Sequence, residues 1–198
     1  MAKEKKEQKY YNGIAVDSQE EVMTIMYFEE LMEAGYVFNI QRAGPISLSD
    51  RLENKYTEVV EMKTKTKMVQ KNQILLEDHV YTPEFIISWT TKGCDLFTNI
   101  FTGFVPKKFE KPFISQGSAT WIEVKPNFDQ NNMTRLFKIN QKWMWQRHQI
   151  FVNLIQPHKL FQETFTPKAW LLTPTSKQRV IHWPVRTLEE YINSLNNQ

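Results

Sequence analysis

Apolar side chains recur at helical spacing between residues 18 and 35, which predicts an amphipathic helix of about four turns. Ser18 and Glu21 have the spacing of a capping box at its start, and Gly35 is suited to the residue that ends it. Because Glu21 begins the apolar stripe, we expect its carboxylate to point towards the protein. The stripe itself comprises Ile25, Phe28 and Met32.

Alternating patterns predict β-strands further along the chain. The segments YTPEFII (81–87) and TWIEVKP (120–126) each have the length of a strand. Long strands are predicted between residues 55 and 76, one of them basic on one face. That face would carry Lys63, Lys65 and Lys67. Such a basic strand is suited to phosphate contacts, or to protecting a sheet edge from aggregation.

A second helix is predicted from Asp129 or Asn131 to about His148. Its predicted buried side comprises Met133, Leu136, Phe137, Trp143 and Met144. QIFVNLI follows as a short strand, and RTLEEYINSL near the end of the chain has the pattern of a helix. This order predicts an α/β fold with a mixed central β-sheet flanked by helices.

The predicted domain organisation has three parts. Residues 1–10 form a flexible basic arm, residues 11–156 form the core, and residues 157–198 form a C-terminal extension packed on that core. The polar and aromatic stretch at about 90–119 is expected to be an inserted hairpin or flap.

Composition narrows the functional classes. The chain has 198 residues with a net charge of +3, which permits a polyanionic partner without requiring one. Its single cysteine, Cys94, excludes an intrachain disulfide and a cysteine-rich zinc site. A membrane-spanning segment, a secretory signal and a glycine-rich phosphate loop are absent from the pattern, so we expect a cytoplasmic protein with no membrane partner and no nucleotide cofactor.

The two strand segments at 81–87 and 120–126 carry the candidate chemistry. Alternation places Glu123 and Lys125 on one strand face, while Ile122 and Val124 point into the core. If Glu84 lies on a neighbouring strand, two carboxylates and an ammonium group would meet. Such hard oxygen ligands suit Mg²⁺, for which Mn²⁺ can substitute. Each motif taken alone also fits an ordinary cross-strand ion pair or a helix cap.

Together, Ser-x-x-Glu, Tyr-x-Pro-Glu-Phe and Ile-Glu-Val-Lys resemble the PD-(D/E)xK nuclease superfamily, over roughly residues 11–155. The start YNGIAVDSQEE is similar to that of small phage endonucleases, and the order of motifs is similar to that of phage Holliday-junction resolvases. The resemblance implies a restriction-endonuclease-like core. It also implies that Glu84 and Glu123 bind metal, that Lys125 is the catalytic lysine and that Glu21 is the helix acid. Glu84 departs from the aspartate of most members by one methylene group.

Basic and polar residues supply candidate DNA contacts. On the helix after Lys125, the resemblance favours Lys138 and Gln141, and Lys142 lies on the same polar side, although a solvated helix face explains the same pattern. The full predicted set is Lys63, Lys65, Lys67, Lys138, Gln141 and Lys142.

The resemblance thus implies a Mg²⁺-dependent DNA endonuclease of a phage or mobile element. It suggests branched or recombination DNA as the substrate, and such a substrate would favour a homodimer with two active sites. Two alternatives stay open. One is a catalytically inactive DNA-binding protein with the nuclease fold, which the Glu84 departure favours. The other is a phage assembly protein that uses its insertion and its C-terminal extension as docking surfaces.

Overall fold

The structure, a computed structural model, describes residues 8–101, 110–127 and 133–196. The chain divides into two compact units, one of residues 44–82 and one of all other residues. This division does not coincide with the predicted boundaries at residues 10 and 156. Within the described ranges, no helix is long and apolar enough to cross a membrane.

The predicted N-terminal arm lies largely outside the described residues. Its last part is ordered as strand: β1 (Lys9–Tyr11) pairs antiparallel with β2 (Ile14–Val16). Asn12 and Gly13 connect the two strands with positive φ values of 46° and 80°. These are the angles that a tight hairpin of this twist requires, and Asn-Gly adopts them at low cost. The flexible arm therefore does not extend to residue 10.

Helix α1 (Gln19–Glu33) has the ends that its sequence predicts. The Ser18 hydroxyl accepts a hydrogen bond from the Glu21 amide at 3.1 Å. At the other end, Gly35 has a φ of 78°, and the Tyr36 amide donates to the carbonyl of Leu31 at 2.8 Å. This is a Schellman motif, in which a glycine without a Cβ takes the left-handed position. The capping box and the glycine stop are both confirmed.

A four-stranded mixed sheet forms the centre of the larger unit, in the order β12–β11–β8–β3. Strand β11 is parallel to β12 and antiparallel to β8, and β8 is antiparallel to β3. Helix α1 packs against this sheet through β3 and β11. The α/β fold with a mixed central sheet is confirmed. The four strands are β3 (Val37–Arg42), β8 (Phe85–Trp89), β11 (Ala119–Val124) and β12 (Val152–Ile155).

The core combines the buried face of α1 with aromatic side chains from the C-terminal part of the chain. The Tyr27 ring stacks on Phe165 with 4.4 Å between centroids and on Phe161 with 6.1 Å. Trp170 and Tyr191 belong to the same buried cluster. The C-terminal elements are α4 (Pro157–Glu163), a 3₁₀ turn (Lys168–Leu171) and α5 (Leu188–Asn196).

The stretch at 90–119 is not an inserted hairpin in its described part. It forms α2 (Thr91–Phe97), β9 (Thr98–Ile100) and β10 (Phe113–Ser115), and the two strands pair in parallel. Asn153 fixes β10 to the central sheet, because its side chain accepts from the Ile114 amide and donates to the Ile114 carbonyl, both at 2.9 Å. Phe97 and Phe113 are buried, so this stretch is part of the core.

Helix α3 (Met133–His148) confirms the second predicted helix, and its proposed caps Asp129 and Asn131 lie outside the described residues. Phe137 and Met144 are buried as expected. Leu136 and Trp143, also predicted to be buried, are exposed to 62% and 39%. The apolar residues of α3 therefore extend further around the helix than the surface that the neighbouring elements cover.

The smaller unit, residues 44–82, consists of two antiparallel strand pairs. Strand β4 (Ile46–Ser49) pairs with β7 (His79–Tyr81), and β5 (Leu52–Glu61) pairs with β6 (Thr66–Leu76). The predicted basic strand face is wrong, because Lys63 and Lys65 lie in the turn between β5 and β6 while Lys67 lies in β6. The chain reverses where the alternating Lys-Thr pattern suggests a continuous strand.

Candidate active site

The sheet pairing brings the predicted site residues to one end of the central sheet. Antiparallel pairing sets Arg42 of β3 opposite Phe85 of β8, and Phe85 opposite Ile122 of β11. Glu84 directly precedes β8, and its amide donates to the Ile122 carbonyl at 2.8 Å. The last residues of β3 and β11 therefore lie beside the first residues of β8.

Glu21 reaches the same end of the sheet from the first turn of α1. Its buried carboxylate accepts a hydrogen bond from the Asp17 amide at 3.2 Å. It also forms an ion pair with the Arg42 guanidinium at 2.8 Å. The capping box and the site thus share one side chain, which is held in place by the helix end. Its predicted orientation towards the protein is confirmed by this burial.

Arg42 links Glu21, Glu84 and Asp17. Its Nη1 lies 2.8 Å from Glu21 Oε2 and 2.7 Å from Glu84 Oε2, while Nη2 lies 3.3 Å from Asp17 Oδ2. The guanidinium also lies over the Phe85 ring, 5.1 Å from its centroid. Sequence reasoning missed this residue. Its position at the end of a strand, among charged and polar neighbours, was the available signal.

Glu123 and Lys125 form a further ion pair of the site, with 2.5 Å between Nζ and Oε1. Both side chains are largely withdrawn from water. The Lys125 amide donates to the Ile155 carbonyl at 2.9 Å, so the parallel pairing with β12 continues past the end of β11. Ile122 and Val124 are buried in the core, as the two-residue alternation predicts.

The pKa of Glu84 is raised to about 7, mainly by burial and next by the negative charge of Glu21. Glu123 raises it further, whereas Arg42 and Lys125 oppose the shift. The charges of Glu21 and Glu123 thus act on Glu84 although the three acids come from different elements. At neutral pH, the Glu84 carboxyl therefore exchanges between its neutral and charged forms.

The donor chemistry of this cluster fits a small divalent cation. Glu84 and Glu123 are hard oxygen ligands, and Mg²⁺ commonly takes one or two carboxylates together with water and phosphate oxygens. The excess of acids over bases in a partly buried position favours added positive charge. Among residues 8–101, 110–127 and 133–196, no group of three or more His, Cys, Asp or Glu side chains is arranged to hold a metal ion. The protein would therefore supply two carboxylate ligands to the cation, and water and phosphate oxygens would supply the others.

No described contact brings the predicted DNA-binding residues to this cluster. Lys138 and Lys142 are exposed on α3. Gln141 is engaged elsewhere, since its Nε2 donates to the Val152 carbonyl at 2.6 Å and fastens α3 to β12. Lys63, Lys65 and Lys67 belong to the smaller unit.

Comparison with known proteins finds no match among family models, curated proteins or solved structures.

Proposed function

We propose that the chain is a metal-dependent endonuclease that hydrolyses phosphodiester bonds in DNA. The observation that carries this proposal is the meeting of Glu21, Glu84, Glu123 and Lys125 at one end of the central sheet. These residues come from three separate segments of the chain, and they are the ones that the nuclease resemblance selects.

Each residue has a distinct role in this proposal. Glu84 and Glu123 would hold Mg²⁺ or Mn²⁺, which when bound polarises the phosphate and activates water. Lys125, already placed against Glu123, would orient the attacking water and offset the negative charge that develops on the phosphate oxygens. Glu21 and Arg42 would hold the Glu84 carboxylate in position through their shared ion pairs.

The proposed substrate is branched or recombination DNA, in the cytoplasm of a host cell that carries a phage or mobile element. This part of the proposal rests on the motif resemblance to junction-resolving phage nucleases. A homodimer would supply two active sites, one for each strand to be cut.

The deciding experiment is cleavage of labelled four-way junction, flap, single-stranded and linear DNA in Mg²⁺ or Mn²⁺. Wild-type protein should cut at least one of these substrates, and EDTA should stop the reaction. Lys125→Ala should lower the cleavage rate at least about 100-fold, the lower end of what removing a proton-transfer or electrostatic group costs. Lys177→Ala is the matched control, because Lys177 is exposed in the C-terminal part and makes no ion pair among the described residues.

Thermal unfolding of both variants guards against a trivial loss of activity. Lys125→Ala leaves the buried Glu123 carboxylate without its ion pair, so part of the effect could come from instability. A folded Lys125→Ala protein that binds DNA without cutting supports the catalytic role. Equal cleavage by Lys125→Ala and wild type contradicts it.

One observation favours the inactive DNA-binding alternative. Arg42 forms ion pairs with Glu21 and Glu84, and Lys125 forms one with Glu123, so each of these three carboxylates has a cationic partner without a metal. Under this alternative, DNA binding would be independent of metal, and no substrate would be cut. Glu84→Ala would then leave DNA binding unchanged.

A further inference from the structure

The β5–β6 hairpin is a long ribbon with two solvent-facing sides. Its strands pair from Leu52↔Leu76 to Glu61↔Thr66, which gives a length of about 30 Å at about 3.3 Å per residue. Within 52–76, all of which is described, only Glu58, Val60 and Val69 are partly buried and every other side chain is exposed. A two-stranded ribbon of this kind has little stability of its own in water. A ribbon so extended is suited to contact a partner along its length or at its tip.

The tip of this ribbon is basic. The turn is closed by a hydrogen bond of 2.9 Å from the Met62 amide to the Lys65 carbonyl. Lys63, Lys65 and Lys67 are exposed around it, and the sequence contains no carboxylate between Met62 and Met68. Further down the stem, acidic side chains alternate with basic ones, and Lys71 pairs with Glu58. Positive charge is therefore concentrated at the tip.

Apolar side chains are exposed among these lysines. Met68 is 75% exposed, and its cross-strand partner Val59 is 54% exposed. Met62, at the start of the turn, is 53% exposed. Large flexible apolar groups beside lysines can contact bases while the lysines contact phosphates, and proteins use Met in this way to wedge between base steps.

We propose that the ribbon tip, residues 59–68, inserts into a groove of duplex DNA. Lys63, Lys65 and Lys67 contact phosphates, and Met62 and Met68 contact the bases. The inference rests on the proposed function, because it takes DNA as the substrate and adds how the protein grips it. β-Ribbons enter either groove of DNA, and the exposed methionines at this tip favour the minor groove, from which apolar side chains wedge between base steps.

The charges distinguish DNA from other partners of the ribbon. A second copy of the tip would bring the same lysines against each other, and like charges in contact are unfavourable. A flat anionic surface lying along the ribbon would meet Glu53 and Glu58 as well as the tip, and it would gain no attraction from the stem, where Lys55 and Lys71 only offset these two glutamates. A groove admits the basic tip and leaves the stem outside.

The test is DNA binding by fluorescence anisotropy, in EDTA and across a series of salt concentrations. EDTA removes the metal, so cleavage cannot interfere and every protein in the series keeps Lys125. Combined Lys63→Ala, Lys65→Ala and Lys67→Ala should reduce the slope of log affinity against log salt by about 2 to 3, close to 0.9 per lost phosphate contact. Combined Lys159→Ala, Lys168→Ala and Lys177→Ala removes the same charge from exposed lysines of the other unit, and should leave the slope unchanged.

A second variant tests the base contacts. Met62→Ser with Met68→Ser should weaken binding several-fold without changing the salt slope. It should also reduce the fluorescence increase of a 2-aminopurine base that the wedge unstacks. Both residues are exposed, so the variant is expected to fold.

Three outcomes overturn the inference. The first is an unchanged salt slope in the ribbon lysine variant. The second is a ribbon lysine variant that no longer forms a dimer in light scattering but keeps its DNA affinity, which assigns the ribbon to contact with a second copy. The third is a ribbon lysine variant that no longer binds vesicles containing anionic lipid but keeps its DNA affinity. Because binding is measured without metal, a wild-type protein that binds through the ribbon but cuts nothing contradicts the nuclease proposal and leaves the ribbon proposal standing.

Discussion

Glu84 is the residue on which the opposing charges of the site converge. Glu21 and Glu123 raise its pKa, and Arg42 and Lys125 lower it, with a net result of about 7 after burial. The fold disfavours the charged form of Glu84. The free energy of unfolding is therefore expected to fall as pH rises from 4.5, the ordinary pKa of the group, through about 7. Below pH 7, a proton also competes with any cation for the same oxygens.

Substitutions on either side of Glu84 should shift its titration in opposite directions. Arg42→Ala removes a cation and should raise the pKa of Glu84 above 7, whereas Glu21→Gln removes an anion and should lower it. The measurement is a carbon-detected NMR titration of glutamate side chains without metal. Arg147→Ala, an exposed arginine at the end of α3, is the control and should leave the titration in place. Shifts of the same sign in the first two variants would contradict this account.

Gly93 permits a close approach that no other residue can make. A Cβ at this position would lie 1.9 Å from the Tyr36 carbonyl oxygen, so Gly93→Ala forces α2 away from the loop after α1. We expect a loss of about 1 to 3 kcal/mol in unfolding free energy, as overpacking usually costs. Gly44→Ala is the control, because nothing lies within 4 Å of its added Cβ. Chemical denaturation should separate the two, and equal midpoints would refute the prediction.

At the level of residues, two-residue alternation predicts that Glu123 and Lys125 share a strand face, and the capping box with the apolar stripe predicts the inward orientation of Glu21. Glu84 joins this set through the motif resemblance. Arg42 was missed because its partners are contributed by α1 and by Glu84, 42 positions later in the chain. Glu30 shows the same limit. It is buried and accepts from the Lys168 amide at 2.7 Å, and no local pattern identifies a partner 138 positions away.

Among the elements, α1 links local stability to the site. Ser18→Ala removes a cap and should cost about 1 kcal/mol of unfolding free energy. It should also loosen Glu21, whose carboxylate accepts from the Ser18 hydroxyl at 3.2 Å, and thereby lower the cleavage rate. Thr187→Ala is the matched variant, because Thr187 caps α5 in the same way. It should cost similar stability and leave cleavage unchanged; equal losses of activity would show that only stability matters.

Elements with explicit end signals were predicted well, and elements without them were not. Ser18 and Gly35 specify both ends of α1 locally. The turn after β5 has no Gly, Pro or Asn, so the pattern from Met62 to Met68 reads as one strand. Asn153 holds β10 to the central sheet from 39 positions later in the chain, and no local pattern identifies that bond.

For the whole molecule, the two units should differ in their opening free energies. The β5–β6 ribbon has few buried side chains, whereas β8 is buried at alternate positions within a four-stranded sheet. We therefore expect amides of β5 and β6 to exchange with deuterium at least about 100-fold faster than those of β8 and β11, since exchange follows local stability. Hydrogen–deuterium exchange with mass spectrometry measures this directly. Equal protection of the amides in both units against exchange would contradict this prediction and show that the ribbon is stabilised without DNA.

The overall plan followed from the order of predicted elements, but the boundaries between units did not. The sequence places its polar, aromatic stretch at 90–119 and its alternating stretch at 55–76, and either resembles an insertion. Burial of Phe97 and Phe113 assigns the first stretch to the core. Only long-range pairing makes that distinction, and a single sequence does not contain it.

The stacking of Tyr27 on Phe165 has a consequence for protein synthesis. The bond from the Lys168 amide to Glu30 spans 138 positions, so the partners of α1 leave the ribosome long after the helix does. At about 5 to 20 residues per second, that delay is roughly 7 to 28 s. During this time the aromatic face of the nascent helix is available to chaperones, and this part of the core closes only after residues 165–168 have left the ribosome.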